Sequence, residues 1–83
     1  PVCFDATHSA QRPGGMGKSS GGSRETIPAM ARAATAVGID ALFLEVHPDP
    51  EKALSDAATQ WPLDKVRQLL ESVKKIHSVK ESA

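Results

Sequence analysis

The chain has little with which to staple itself or anchor itself elsewhere. Its 83 residues hold one cysteine, Cys3, which excludes a disulfide framework and a cysteine-rich zinc site. Its formal net charge is zero, with 10 Lys and Arg against 10 Asp and Glu. Nothing in that balance suggests nucleic acid or an anionic membrane as a partner. No apolar run reaches the roughly 18 residues that span a bilayer. The chain has no starting Met and no internal repeat strong enough to use. A chain this short buries a small fraction of its surface and is marginal alone. It therefore reads as part of something larger.

What is present is a strand, helix, strand, helix order. The run Pro1 to Ala6 reads as a short buried strand, with His8 closing the segment. From Ser9 to Ser23 come Gly14, Gly15, Gly17, Gly21 and Gly22 among polar residues, the composition of a long mobile loop. Ser23 stands where it can cap a helix, and Pro28 is tolerated in the first turn. Ile27, Met30, Ala31, Ala34 and Val37 share one helical face, and Gly38 sits where a C-terminal cap belongs. Ile39 to Val46 predicts a second buried strand, followed by a polar loop through Gln60. Pro62 opens a last helix whose apolar stripe is Leu63, Val66, Leu69, Leu70, Val73 and Ile76. Lys74, Lys75 and Lys80 complement the C-terminal end of its dipole. Strands joined by a helical crossover are parallel, and parallel sheets need cover on both faces.

The carboxyl ends of such strands are where α/β proteins place their chemistry. His8 and Glu45 close the two apolar runs, and Asp56 follows in the next loop. An imidazole and two carboxylates converging there suit metal binding or proton transfer. Asp5 in an apolar run needs a partner, and so does Glu45. His47 projects to the same side as Glu45 if the strand continues. His77, among lysines, is expected to be exposed, Cys3 to be core, and Trp61 to pack where the last helix begins. Gly17-Lys18-Ser19 looks like the end of a phosphate-binding P-loop, but that motif needs a glycine five residues before Gly17, where Arg12 stands. A dinucleotide fingerprint fails as well, because no helix opens on these glycines. Arg12, Lys18 and Arg24 remain available to an anion. An anion-binding loop and a merely solvated one are both compatible with the composition.

Two long motifs carry a family likeness. Phe4-Asp5-Ala6-Thr7-His8-Ser9-Ala10-Gln11, then Pro13-Gly14-Gly15 and Ser20-Gly21-Gly22-Ser23-Arg24-Glu25, resemble the 3-deoxy-D-manno-octulosonate 8-phosphate synthases. Leu44-Glu45-Val46-His47-Pro48-Asp49-Pro50-Glu51-Lys52-Ala53-Leu54-Ser55-Asp56 is similar to a later segment of the same enzymes. The related aromatic-pathway synthases, which use erythrose 4-phosphate, share the Glu-x-His-x-x-Pro segment and the following Ser-Asp. Their first motif reads Asp-Pro-Ser-His with a shorter loop, so Asp5-Ala6-Thr7-His8 and the long loop favour the sugar-acid family.

The resemblance implies an α/β fold, the last quarter of a (β/α)8 TIM barrel: strand 7, helix 7, strand 8 and helix 8. Residues 1–83 would be a C-terminal segment of that single domain, with 9–23 its glycine-rich mobile loop. The implied reaction condenses phosphoenolpyruvate with D-arabinose 5-phosphate for lipopolysaccharide assembly, in a cytoplasmic homotetramer, with the rest of the barrel as the segment's partner. Site residues carried over by motif are His8 and Asp56 as catalytic, Gln11 and Arg24 as substrate-binding, and His8, Glu45 and Asp56 as ligands of a divalent Mn, Fe or Zn ion. The fourth ligand, a cysteine of the first strand, would lie outside these residues, and Cys3 is not its match. A metal-free branch of the family has Asn in place of that cysteine. Ser55-Asp56-Ala57-Ala58-Thr59-Gln60 looks like the metal-dependent version. A non-catalytic barrel fragment is the reading from another class.

Overall fold

The computed structural model describes residues 1–12, 21–55 and 57–82. Its architecture is α/β. The first strand, β1 (Cys3–Asp5), pairs in parallel with β4 (Ala41–Phe43), in the register Cys3 to Ala41, Phe4 to Leu42 and Asp5 to Phe43. Asp40 extends the pairing, because its amide donates to Val2 O at 2.8 Å and its carboxylate accepts from Val2 N at 2.7 Å. Between the two strands run a short helical turn, α1 (Ala6–Ser9), and the crossover helix α2 (Ile27–Val37). The long helix α3 (Val66–Ser82) closes the chain. The parallel pairing expected from the helical crossover is therefore present.

Side chains alternate across a strand, and that alternation sets the two faces of the pair. Phe4 and Leu42 turn toward α2 and α3 and pack against a buried cluster of Ala6, Ala10, Ile27, Ala31, Trp61 and Leu69. Cys3, Ala41 and Phe43 are exposed on the other face, so Cys3 is not the core residue its apolar run suggested. In α2, Ile27 and Ala31 are buried and Met30 and Ala34 half-buried, while Val37 is 85% exposed. Of the α3 stripe, Leu69 is buried, Val66, Val73 and Ile76 are half-buried, and Leu63 and Leu70 are exposed. Trp61 packs into the core ahead of α3, as its place in the sequence suggested. Gly38 ends α2 in the left-handed region at φ 119°, with its amide donating to Ala34 O. An added side chain there would be strained and would also meet Lys80.

Several boundaries differ from the expected ones, for local reasons. The first strand stops at Asp5, because the Asp5 carboxylate accepts from His8 N at 3.0 Å and caps a helical turn. His8 thus sits on α1 rather than at a strand end. The two ends of the glycine-rich loop form a hairpin, β2 (Gln11–Arg12) with β3 (Gly21–Gly22), closed by Ser23 N donating to Ala10 O at 2.9 Å. Gly14, Gly15, Gly17 and Lys18 lie outside the described residues. Ser23 makes no side-chain cap; its carbonyl instead accepts from the amide and hydroxyl of Thr26 in the 3-10 turn Arg24–Thr26 that leads into α2. The second strand is short. After it, β5 (Val46–His47) pairs in parallel with β6 (Trp61–Pro62). Pro62 therefore belongs to a strand, and a 3-10 turn, Leu63–Lys65, precedes α3. Among the described residues no helix is long and apolar enough to cross a membrane.

Two substitutions on one helix test this packing in the full-length protein. Ile27→Ala should lower unfolding free energy by roughly 2–5 kcal/mol, the usual range for emptying a core site. Val37→Ala should stay within about 0.5 kcal/mol, as for surface changes. Denaturant titration of both variants compares them directly.

Candidate functional site

The register of β1 and β4 brings their carboxyl ends together, since Asp5 lies beside Phe43. One turn beyond Asp5, α1 presents His8. Two residues beyond Phe43, the chain presents Glu45. His8 Nε2 and Glu45 Oε1 stand 2.8 Å apart. The other ring nitrogen, Nδ1, is 2.6 Å from Asp5 Oδ2. The imidazole therefore lies between two carboxylates, and the Phe43 ring stacks beside it at 6.3 Å between centroids.

Glu45 is held from three further directions. Its amide donates to the hydroxyl of fully buried Thr7 at 2.8 Å, and its carbonyl accepts from Trp61 N at 2.9 Å. Its second carboxylate oxygen accepts from Gln60 Nε2 at 3.0 Å. Glu45 and Gln60 also line a cavity of about 420 Å³, together with Val46, His47, Ala53, Leu54 and Ser55. His47 thus reaches the same cavity as Glu45, with its Nδ1 accepting from Asp49 N at 2.8 Å.

Protonation follows from the geometry. The carboxylate of Asp5 accepts the Nδ1 proton; a protonated ring also donates from Nε2, whereas a neutral ring carries its lone pair on Nε2. That lone pair then faces an oxygen of Glu45. Two acceptors this close need a cation between them, either a proton or a metal ion. Burial acts to raise the pKa of Asp5. The His8 amide, the His8 ring and its charge, and the Thr7 amide together outweigh that effect and hold it below the ordinary carboxylate value. The stabilisation Asp5 contributes is complete above the ordinary range and is lost as pH falls through the lowered value.

Of the site residues expected from sequence, His8 and Glu45 are in contact. Gln11 is half-buried on β2, opposite Gly22. Asp56 lies outside the described residues. Arg24 turns toward the loop ahead of β6. Its Nε donates to Gln60 O at 2.8 Å, and one terminal nitrogen donates to Ala57 O and to Glu51 Oε1. At most its other terminal nitrogen is left for an anion. Among the described residues no group of three or more His, Cys, Asp or Glu gathers as a metal site. Exposed His77 lies 4.0 Å from Glu81 on α3, away from this cluster. Thr7 and Gln60 are the contributors that the sequence reading missed. Both are uncharged, and their only sequence signal is position, next to His8 and next to Trp61.

The described residues define an α/β protein with a polar cluster at the carboxyl ends of parallel strands. The chain belongs to the DAHP synthetase I family, whose family model matches residues 1–81. It is 68% identical over 74 residues to a 2-dehydro-3-deoxyphosphooctonate aldolase of Legionella pneumophila, a match that covers 89% of this chain and 27% of that protein. It is 61% identical over 79 residues to the protein of the same name from Xanthomonas campestris pv. campestris, covering 95% of this chain and 29% of that one. The chain thus spans less than a third of the length of these relatives.

Asp5→Asn separates the two jobs of Asp5 in the full-length protein. Asn caps a helix about as well as Asp, so the helical turn should persist, and only the stabilisation that depends on the Asp5 charge should be lost. Its amide NH2 can turn to donate to Nδ1, which would move the proton of the neutral His8 ring to Nε2. Nitrogen chemical shifts of His8 should therefore exchange between the two ring positions. Unchanged shifts would show that Asp5 does not set the tautomer.

Proposed function

We propose that the chain is the closing quarter of a (β/α)8 barrel, strand 7 through helix 8, in an enzyme that condenses phosphoenolpyruvate with D-arabinose 5-phosphate. The observation that carries this reading is the imidazole between Asp5 and Glu45 at the adjoining carboxyl ends of β1 and β4. The carboxyl-end face of a barrel is where such enzymes keep their chemistry. The names of the relatives favour the eight-carbon sugar acid over the product made from erythrose 4-phosphate. The exposed face of the strand pair, with Cys3, Ala41 and Phe43, fits the inward face of a closed barrel, which neighbouring strands would fill. A cytoplasmic homotetramer belongs to the same proposal and rests on the family likeness.

In the reaction, the enol carbon of phosphoenolpyruvate attacks the sugar aldehyde, water adds to the carbon bearing phosphate, and phosphate leaves. A divalent ion would suit these residues, because His8 Nε2 and Glu45 Oε1 converge on a point that calls for positive charge. His8 and Glu45 would hold the ion with Asp56, and a cysteine from the first strand would complete the set. When bound, such an ion supplies polarisation of the aldehyde or a lowered pKa for the attacking water. Asp5, by accepting from Nδ1, would leave Nε2 to face Glu45 with its lone pair, and Gln60 fixes the rotation of the Glu45 carboxylate. In the alternative without a metal, His8 and Asp56 would themselves hold and deprotonate the water. Gln11, on the hairpin beside the site, is the proposed substrate contact from the glycine-rich loop, which would close over the sugar phosphate and exclude water.

The full-length protein should consume phosphoenolpyruvate and release phosphate with D-arabinose 5-phosphate, and far more slowly with erythrose 4-phosphate. A preference for the four-carbon sugar would assign it to the aromatic-pathway relatives. No turnover with either would support the non-catalytic reading.

Prolonged chelation should abolish that turnover, and Mn should restore it. Restoration should weaken at acid pH, because the imidazole and carboxylates must be deprotonated to coordinate. Full activity in a sample shown to be metal-free by elemental analysis would place the protein in the metal-free branch.

A further inference from the structure

We infer that Arg24 is a positioning residue that ties the loop beside Glu45 to the root of the glycine-rich hairpin, so that the two loops keep one arrangement. The inference deepens the synthase reading and rests on it for its kinetic consequences. Arg24 follows β3 by two residues, at the point where the hairpin is closed by the backbone bond from Ser23 to Ala10. Its guanidinium reaches across 33 and 36 residues of sequence to the carbonyls of Ala57 and Gln60. These carbonyls bracket the segment that begins directly after Asp56, and Gln60 is the residue whose side chain holds Glu45 Oε2. The connection therefore runs from hairpin root to guanidinium, to the Gln60 backbone, to the Gln60 amide, to the Glu45 carboxylate.

The chemistry needs an arginine. Two carbonyls three residues apart are met by different nitrogens of one planar fork, Nε and a terminal nitrogen. An ammonium is a single compact charge and cannot span them with the same geometry. The side chain is only 26% exposed, whereas its acidic partner Glu51 is 75% exposed. The ion pair with Glu51 is thus solvent-screened and contributes little. The carbonyl bonds, part-buried and charge-assisted, are the ones that fix the loop.

The test uses the full-length protein and the variants Arg24→Lys and Arg24→Ala. Both should lose kcat, by about 10- to 100-fold for Arg24→Ala, the usual range when a group that orients a site residue is removed. KM for both substrates should barely move. Amide exchange should accelerate in peptides covering 57–61 and 21–23, since loops without these bonds open more readily. Guanidinium ion added to Arg24→Ala should recover part of kcat, and Arg24→Lys should not match that recovery. A rise in KM for the sugar phosphate alone, with exchange at 57–61 unchanged, would overturn the inference and make Arg24 a direct substrate contact. Unchanged kcat would overturn it as well. Wild-type protein without turnover would defeat the synthase reading instead, and the exchange comparison would still decide whether Arg24 holds the loop.

Discussion

The parallel register between β1 and β4 is the constraint on which the site depends. Pairing Asp5 with Phe43 leaves the two chains leaving the sheet side by side. One continues into a helical turn and the other into an extended loop, so His8 and Glu45 arrive within hydrogen-bond distance although 37 residues separate them. A slip of one residue would turn every side chain of one strand to the opposite face. Either Phe4 or Leu42 would leave the core, and the polar ends would no longer meet. Burial of Ile27, Ala31 and Leu69 against the helix-covered face of the pair is what holds the register.

From that register follows an arrangement of three polar layers. Neutral but oriented groups, Thr7 and Gln60, fix Glu45. Glu45 and Asp5 fix His8 from opposite sides of its ring. Arg24 fixes the backbone that carries Gln60. Such outer partners set how well the inner donors are aimed, and they matter to a site nearly as much as the donors do. The helical turn α1 is central to this. By ending the strand at Asp5, it lets one carboxylate cap the turn with one oxygen and hold the imidazole with the other.

The helices, and the part of their faces centred on Ile27, Ala31 and Leu69, were legible from apolar spacing of three and four, whereas Val37, Leu63 and Leu70 on the same spacing are exposed. Gly38 was legible because few residues tolerate its backbone angles. Glu45 and His8 stood out as ionisable groups at the ends of apolar runs. The turn at Asp5 was not legible, since Asp-Ala-Thr-His reads equally as the end of a strand until the carboxylate captures the His8 amide. The short strands β5 and β6 were hidden inside loop and helix-start composition. Arg24 has partners that the sequence did not show. A cation beside a glycine-rich loop suggests an anionic ligand, but its partners on the folded chain are backbone carbonyls, and a carbonyl has no signature in a sequence. Asp56, named with His8 and Glu45 from the sequence, lies outside the described residues.

The proposed function places a positive charge between His8 Nε2 and Glu45 Oε1, supplied in the working protein by a metal ion. The most direct measurement is an anomalous-difference map from crystals of the full-length protein grown with Mn and tested for activity. The account predicts a peak bonded to His8 Nε2 and to a Glu45 oxygen, with those two atoms moved apart from their 2.8 Å contact. Active crystals with no peak there, and with the direct contact between His8 and Glu45 intact, would contradict it.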